Sequence, residues 1–239
     1  MRIADIAYEV DGKPMVGHFA IDNLQPGLRP AVLVCHEGSG LGENAKGRAV
    51  RLAGLGYAAF ALDYFGDGKA PPRDEAMARL GVLMGDPQLT REMALAGLHV
   101  LLEQEQVDTN RVAVIGYCFG GAMAVELART GADLAAVVGF HPGIGPPNPT
   151  DSRNIRASIL MCCGADDPVV PPERRVEFEA DMKEAGVADW RIEVYGGVGH
   201  SFTNPLASEM GMPGFAYDAT ADRRSWRSML DLFAEKLRN

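Results

Sequence analysis

The stretch Val112-Ala113-Val114-Ile115-Gly116-Tyr117-Cys118-Phe119-Gly120-Gly121 decides how the rest of the chain is read. It begins as an unbroken apolar run, the pattern of a strand buried on both faces. It then breaks into Gly-x-Cys-x-Gly and continues into small residues that suit a helix packed close to the strand. This is the nucleophile-elbow pattern, with Cys118 where serine is more usual. The spacing has a mechanical reason: the chain reverses sharply, Gly116 and Gly120 let backbone pass close to backbone, and the side chain between them is pushed clear of the sheet. Cys118 is then expected at a helix N-terminus, where N–H groups and the helix dipole favour a thiolate. The N–H of Phe119 is expected to serve as an oxyanion donor. The plain alternative for Gly-x-Cys-x-Gly is a buried cysteine in a tight glycine turn.

Outward from this stretch the chain alternates. Apolar runs without period-two patterning occur at 31–35, 57–62, 112–115, 135–140, 159–162 and 192–195. Helical patterns fall at 43–53, 74–84, 88–102, 119–129, 173–185 and 222–238. The last carries Trp226, Met229, Leu230, Phe233 and Leu237 along one stripe. Strands alternating with helices predict a mostly parallel central sheet with helices on both faces. Two segments at the start, 2–10 and 14–20, flank Asp11-Gly12, a pair suited to the tight turn of an antiparallel hairpin. No repeat or linker divides the 239 residues, so a single α/β domain over 1–239 is expected.

Composition excludes several classes. Lys and Arg number 23 against 32 Asp and Glu, a net charge of −9 that argues against a nucleic-acid-binding face. The most apolar uncharged stretch, 112–125, is too short and glycine-rich for a membrane span, which needs roughly 20 residues. Asp5 and Glu9 interrupt the first ten residues, so no signal peptide is expected and the cytoplasm is the expected location. The four cysteines, Cys35, Cys118, Cys162 and Cys163, form no CxxC pair, which predicts free thiols rather than a zinc or disulfide framework.

In an elbow fold the acid and then the histidine follow the nucleophile, each on a loop after a later strand. Gly164-Ala165-Asp166-Asp167-Pro168-Val169-Val170-Pro171 supplies two carboxylates, and on residue type alone Asp166 and Asp167 compete. Gly196-Gly197-Val198-Gly199-His200-Ser201-Phe202 supplies the histidine. His141 ends an earlier strand and precedes the acid, so it is expected to line the pocket rather than complete a triad. After the run 31–35, His36-Glu37-Gly38-Ser39-Gly40 should supply the second oxyanion N–H, from Gly38. Glu37 is read either as a solvated loop charge or as the acceptor of the Cys118 thiol proton. Gly38-x-Gly40 also hints at a dinucleotide site, but a glycine is needed at position 43, where Glu43 stands. No nicotinamide or other cofactor, and no metal, is expected.

Together these motifs resemble the dienelactone hydrolase family, cysteine hydrolases of the α/β-hydrolase fold. The resemblance covers the chain from about residue 31 onward. It implies the triad Cys118, Asp167 and His200, with Asp167 taken over Asp166 from the family's Gly-x-x-Asp-x-x-Val-Pro pattern. It implies further that Glu37 pairs with the thiol until substrate displaces it, and that no cofactor is used. Tyr117, His141, Phe202 and Asn204 are the candidate substrate contacts. One position departs from the pattern: founding members carry an Arg four residues after the histidine to hold a substrate carboxylate, and this chain has Asn204. Lys69, Arg73 and Arg79 are the candidate replacement cations.

The expected activity is therefore hydrolysis of a small-molecule ester or lactone through an acyl-enzyme. Alternatives are a thioesterase or carboxylesterase with the same residues, a non-catalytic binding protein on this fold, and a thiol redox sensor using Cys118 and Cys35. A monomer is expected, with a homodimer as the alternative, and neither a nucleic acid nor a membrane as partner.

Overall fold

The computed structural model describes residues 1–237, so the expectation that the last helix reaches Arg238 extends beyond the described residues. Eight strands form a mixed, mostly parallel sheet flanked by helices. The chain falls into two compact units, Met1–Ile115 and Gly116–Asn239.

In the first unit the strand order is β1-β2-β4-β3-β5. β1 (Arg2–Val10) and β2 (Lys13–Ile21) pair antiparallel from Arg2↔Ile21 to Val10↔Lys13. Asp11 and Gly12 turn between them with φ of 50° and 75°, the left-handed pair that matches the twist of a two-residue hairpin. β2 also runs antiparallel to β4 (Ala58–Leu62), and β3 (Arg29–Cys35) runs parallel to β4 from Ala31↔Ala58 to Cys35↔Leu62. Every residue of β4 is buried, which explains its lack of alternation. α1 (Glu43–Ala53) buries Ala45, Arg48, Ala49 and Leu52 at helical spacing, and α2 (Arg73–Gly85) and α3 (Pro87–Leu102) follow. Asp86 caps α3 by accepting from the Leu89 N–H at 3.0 Å. β5 (Val107–Tyr117) begins five residues before its apolar run. The run marks only the buried portion, and the outer residues are held locally, with the Asp108 carboxylate accepting from the Asn110 N–H and Arg111 Nε.

The second unit holds α4 (Phe119–Arg129), β6 (Ala136–Phe140), a single helical turn α5 (Pro149–Ser152), β7 (Ser158–Gly164), α6 (Pro172–Ala185), β8 (Trp190–Tyr195) and α7 (Ala219–Lys236). β6, β7 and β8 are parallel neighbours. α7 starts at Asp218, whose carboxylate accepts from the Thr220 and Ala221 N–H groups, and packs Trp226 in a stacked contact on Phe140 of β6. Within this core a buried ion pair, Arg129 Nη2 to Asp181 Oδ2 at 2.8 Å, joins α4 to α6. The Ser152 hydroxyl and the Asn148 N–H donate to the same carboxylate. No helix among the described residues is long and apolar enough to cross a membrane.

Candidate active site

Parallel strands deliver their C-terminal ends to one edge of a sheet, where ligand sites form. Cys118 follows β5, His141 follows β6, Asp167 follows β7 and His200 follows β8.

At the end of β5, Cys118 has φ 53° and ψ −120° and forms the N-cap of α4. The reversal requires Gly116, because a Cβ there would lie 1.9 Å from the Gly120 carbonyl oxygen. The Cys118 N–H donates to the Phe140 carbonyl at 3.1 Å, and the Cys118 carbonyl accepts from the Gly121 and Gly143 N–H groups at 2.9 and 2.8 Å. The turn is thus tied both to its own helix and to the loop after β6. Among the four cysteines only Cys118 is partly exposed. Burial pushes the other thiols up, Cys163 to about 12, so those three behave as small apolar residues.

The two aspartates part company in the loop after β7. Asp166 is exposed, whereas Asp167 is buried. Asp167 Oδ1 accepts from the Val169 and Val170 N–H groups at 2.8 and 3.3 Å, which leaves Oδ2 for the His200 Nδ1–H at 2.7 Å. His200 is wholly buried. Burial by itself would lower its pKa, but the Asp167 hydrogen bond and then the Cys118 side chain outweigh that and hold the ring at about 10. Nε2 is left with no hydrogen bond of full geometry, although the Cys118 side chain is near enough to favour the protonated ring.

The His200 loop is clamped by the segment leading into α7. The His200 N–H donates to the Gly214 carbonyl at 2.8 Å, the Ala216 N–H donates to the His200 carbonyl at 3.2 Å, and the Phe215 ring lies 4.7 Å from the imidazole. Three non-glycine residues with positive φ border this site: Cys118, His141 (39°) and Ser201 (57°). Backbone strain of this kind persists where the surroundings over-determine it, characteristically at functional sites.

The remaining candidates are distributed as follows. Tyr117, His141 and Phe202 are wholly buried, with Tyr117 stacked on Phe140 at 4.9 Å. Asn204 serves its own loop: its Oδ1 accepts from the Leu206 N–H at 3.0 Å, just ahead of a 3-10 turn at Ala207–Met210. Phe119 opens α4 directly after Cys118.

Glu37 and Gly38 stand in the first unit, on the loop after β3. Glu37 is buried, and its Oε1 accepts from Asn44 Nδ2 at 2.9 Å. His36 stacks on Tyr64 at 3.5 Å and donates from Nδ1 to the Glu37 carbonyl, and burial lowers its pKa to about 4. A Cβ on Gly38 would lie 2.8 Å from Leu80 Cδ2, so the loop passes close under α2. Of the three replacement cations, Arg79 is already engaged with Glu75 and the Phe65 carbonyl, while Lys69 and Arg73 are exposed. Among the described residues no three His, Cys, Asp or Glu side chains are grouped to hold a metal ion.

Sequence reading did not single out Phe215 or Thr203. Both touch the site only through tertiary contacts, and the one local hint was Gly214, whose backbone the His200 loop needs.

A model of the dienelactone hydrolase family matches residues 18–237. The crystal structure of a dienelactone hydrolase-like promiscuous phosphotriesterase from metagenomic libraries is 42% identical, with 99% of each chain covered and a TM-score of 0.95. A Salmonella typhimurium protein provisionally named carboxymethylenebutenolidase is 28% identical over 240 residues, spanning 94% of this chain and 84% of the relative. A provisionally named dienelactone hydrolase from Klebsiella pneumoniae, 20% identical over 98% of both chains, has a TM-score of 0.80 and shares the fold.

Proposed function

Because this chain belongs to the dienelactone hydrolase family, we propose that it hydrolyses small-molecule esters or lactones through Cys118, His200 and Asp167 within one hydrolase domain. The observation that carries the reading is the 2.7 Å bond between two buried groups, His200 Nδ1 and Asp167 Oδ2, in a ring whose pKa also responds to Cys118. Asp167 fixes the tautomer that leaves Nε2 toward the sulfur, and a buried carboxylate steadies the imidazolium once it forms.

The steps follow from those positions. His200 Nε2 takes the Cys118 proton, and the sulfur attacks the substrate carbonyl. The oxyanion is held by the Phe119 N–H, with the Gly38 N–H as the proposed second donor. As the tetrahedral adduct collapses, the C–O bond breaks and His200 returns its proton to the leaving alkoxide. In a lactone that alkoxide stays tethered to the acyl group. His200 then deprotonates a water, which attacks the thioester; the carboxylic acid leaves and the sulfur regains the proton. Before that transfer, in the free enzyme, Glu37 is proposed to pair with the Cys118 thiol as its hydrogen-bond acceptor until substrate displaces it, and Tyr117, His141, Phe202 and Asn204 are proposed neighbours of the substrate.

A second reading, attack by the same sulfur on a phosphotriester, is favoured by the 42% identical relative named as a promiscuous phosphotriesterase. A screen of lactones, aryl esters, thioesters and an aryl phosphotriester against wild type and Cys118→Ala tests both. The proposal expects turnover of at least one carboxylic ester or lactone that Cys118→Ala abolishes. Turnover at the wild-type rate by Cys118→Ala overturns it.

A further inference from the structure

We propose that His141 is a positioning residue for His200: a buried imidazole, anchored on Thr203, that fixes the plane of the triad ring. The inference rests on the assignment of His200 as general base. The hydrogen bond that His200 Nδ1 donates to Asp167 holds one edge of that ring and does not by itself fix its tilt. Two edge-on ring contacts remove the freedom: His141 at 5.2 Å and 68°, and Phe215 at 4.7 Å and 61°.

His141 is itself held on several sides. Its N–H donates to the Cys162 carbonyl at 2.8 Å, its Nε2 shares a 2.8 Å hydrogen bond with Thr203 Oγ1, and its ring meets Phe202 edge-on at 5.2 Å. Thr203 lies three residues beyond His200, so the bond ties the loop after β6 to the loop after β8. Two residues after His141, the Gly143 N–H donates to the Cys118 carbonyl at 2.8 Å. The short run His141-Pro142-Gly143 therefore touches the base with its first residue and the nucleophile's backbone with its last. It gauges the separation on which proton transfer depends. The φ of 39° at His141 is a conformation glycine would adopt without strain, yet the chain keeps an imidazole there.

The contact is steric and dipolar rather than a proton relay. The titratable groups near the pair include Asp167, Cys118 and Tyr117, whose ring is 6.0 Å from His141, with Cys162 and Cys163 behind on β7. His200 must hold a proton between the two halves of the cycle.

Three variants separate the ring from its anchor. His141→Phe keeps a ring and loses the hydrogen bond. His141→Asn tolerates the backbone angle but removes the ring, and its short amide does not reach Thr203 as Nε2 does, so it removes ring and anchor together. Thr203→Val cuts the anchor alone. Two readouts are taken on variants whose circular dichroism matches wild type: the pH profile of Cys118 alkylation by iodoacetamide, followed by mass spectrometry, and kcat and KM on 4-nitrophenyl butyrate. His141→Asn is expected to move the alkylation midpoint to higher pH and to lower kcat about tenfold or more, with KM little changed. His141→Phe should recover most of both, and Thr203→Val should fall between. An unchanged midpoint and kcat in His141→Asn overturns the proposal, as does a rise in KM alone, which would return His141 to the substrate. Alkylation needs no substrate, so this result stands apart from the ester and lactone reading, whose own test is Cys118→Ala.

Discussion

Gly199 and Gly214 pass so close that a Cβ on Gly199 would sit 2.2 Å from the Gly214 carbonyl oxygen. The obstacle is backbone, which has no rotamer by which to give way. Gly199 also precedes His200, whose N–H is bonded to that same carbonyl. Gly199→Ala should therefore displace the His200 ring while costing about 1–3 kcal/mol of stability, the usual range for overpacking. Urea unfolding and kcat/KM on the same samples check this. A variant with wild-type values in both would mean that the crossing is looser than the contact implies.

The proton on His200 links activity to stability. Its folded pKa of about 10 lies above its ordinary 6.5. A raised pKa means that the folded state binds the proton more tightly than the unfolded chain does. The stabilisation is then complete below about pH 6.5 and disappears as pH rises through about 10. Wild type should lose stability across that window more steeply than His200→Gln. NMR titration of the imidazole should give a lower pKa in both Asp167→Asn and Cys118→Ala, since each removes a group that favours the cation.

Glu37→Gln offers a clean test of the proposed thiol-proton acceptor. The amide oxygen of glutamine can still accept from Asn44, so the local hydrogen bond survives while the charge is lost. Folding should be unaffected, and iodoacetamide should label Cys118 more slowly at neutral pH. An unchanged labelling profile would return Glu37 to a purely local role at the start of α1.

Asn204 bears on substrate choice. Its Oδ1 accepts from the Leu206 N–H, so Asn204→Arg should lose that hydrogen bond, worth about 0.5–1.5 kcal/mol. It should also raise the relative kcat/KM for a lactone bearing a free carboxylate over its neutral analogue, because an Arg–carboxylate contact is charge-assisted. A strong preference of the wild type for the acidic member would refute the neutral-substrate reading. It would also direct the search for a cation to Lys69 and Arg73.

The buried parts of the fold were legible because burial on both faces leaves an unbroken apolar run, as in β3, β4, β6 and β7. The polar outer end of β5 carries no such signal. The single turn of α5 and the 3-10 turn at Ala207–Met210 were not expected: the first is capped by the Asn148 side chain, the second has no side-chain cap, and both are too short to show a periodicity. Within the site, spacing along the chain pointed to Cys118 and His200. The choice of Asp167 over Asp166 needed a family pattern, because adjacent aspartates differ only in which way the turn aims them. Phe215 and Thr203 stayed invisible because ring-to-ring and hydroxyl-to-ring contacts between distant loops leave no trace in local composition.

The left-handed backbone at Cys118, His141 and Ser201 has a consequence for any attempt to harden this protein against heat. Each such residue costs on the order of 1–3 kcal/mol, and glycine would relieve most of it. At Cys118 relief would also remove the sulfur proposed as the nucleophile. At His141 relief would remove the ring proposed to steady His200. Ser201 is the position where the two can be separated. Unselective screening for thermal tolerance would therefore be drawn toward disarmed variants, and would yield useful ones only if every round also demanded turnover.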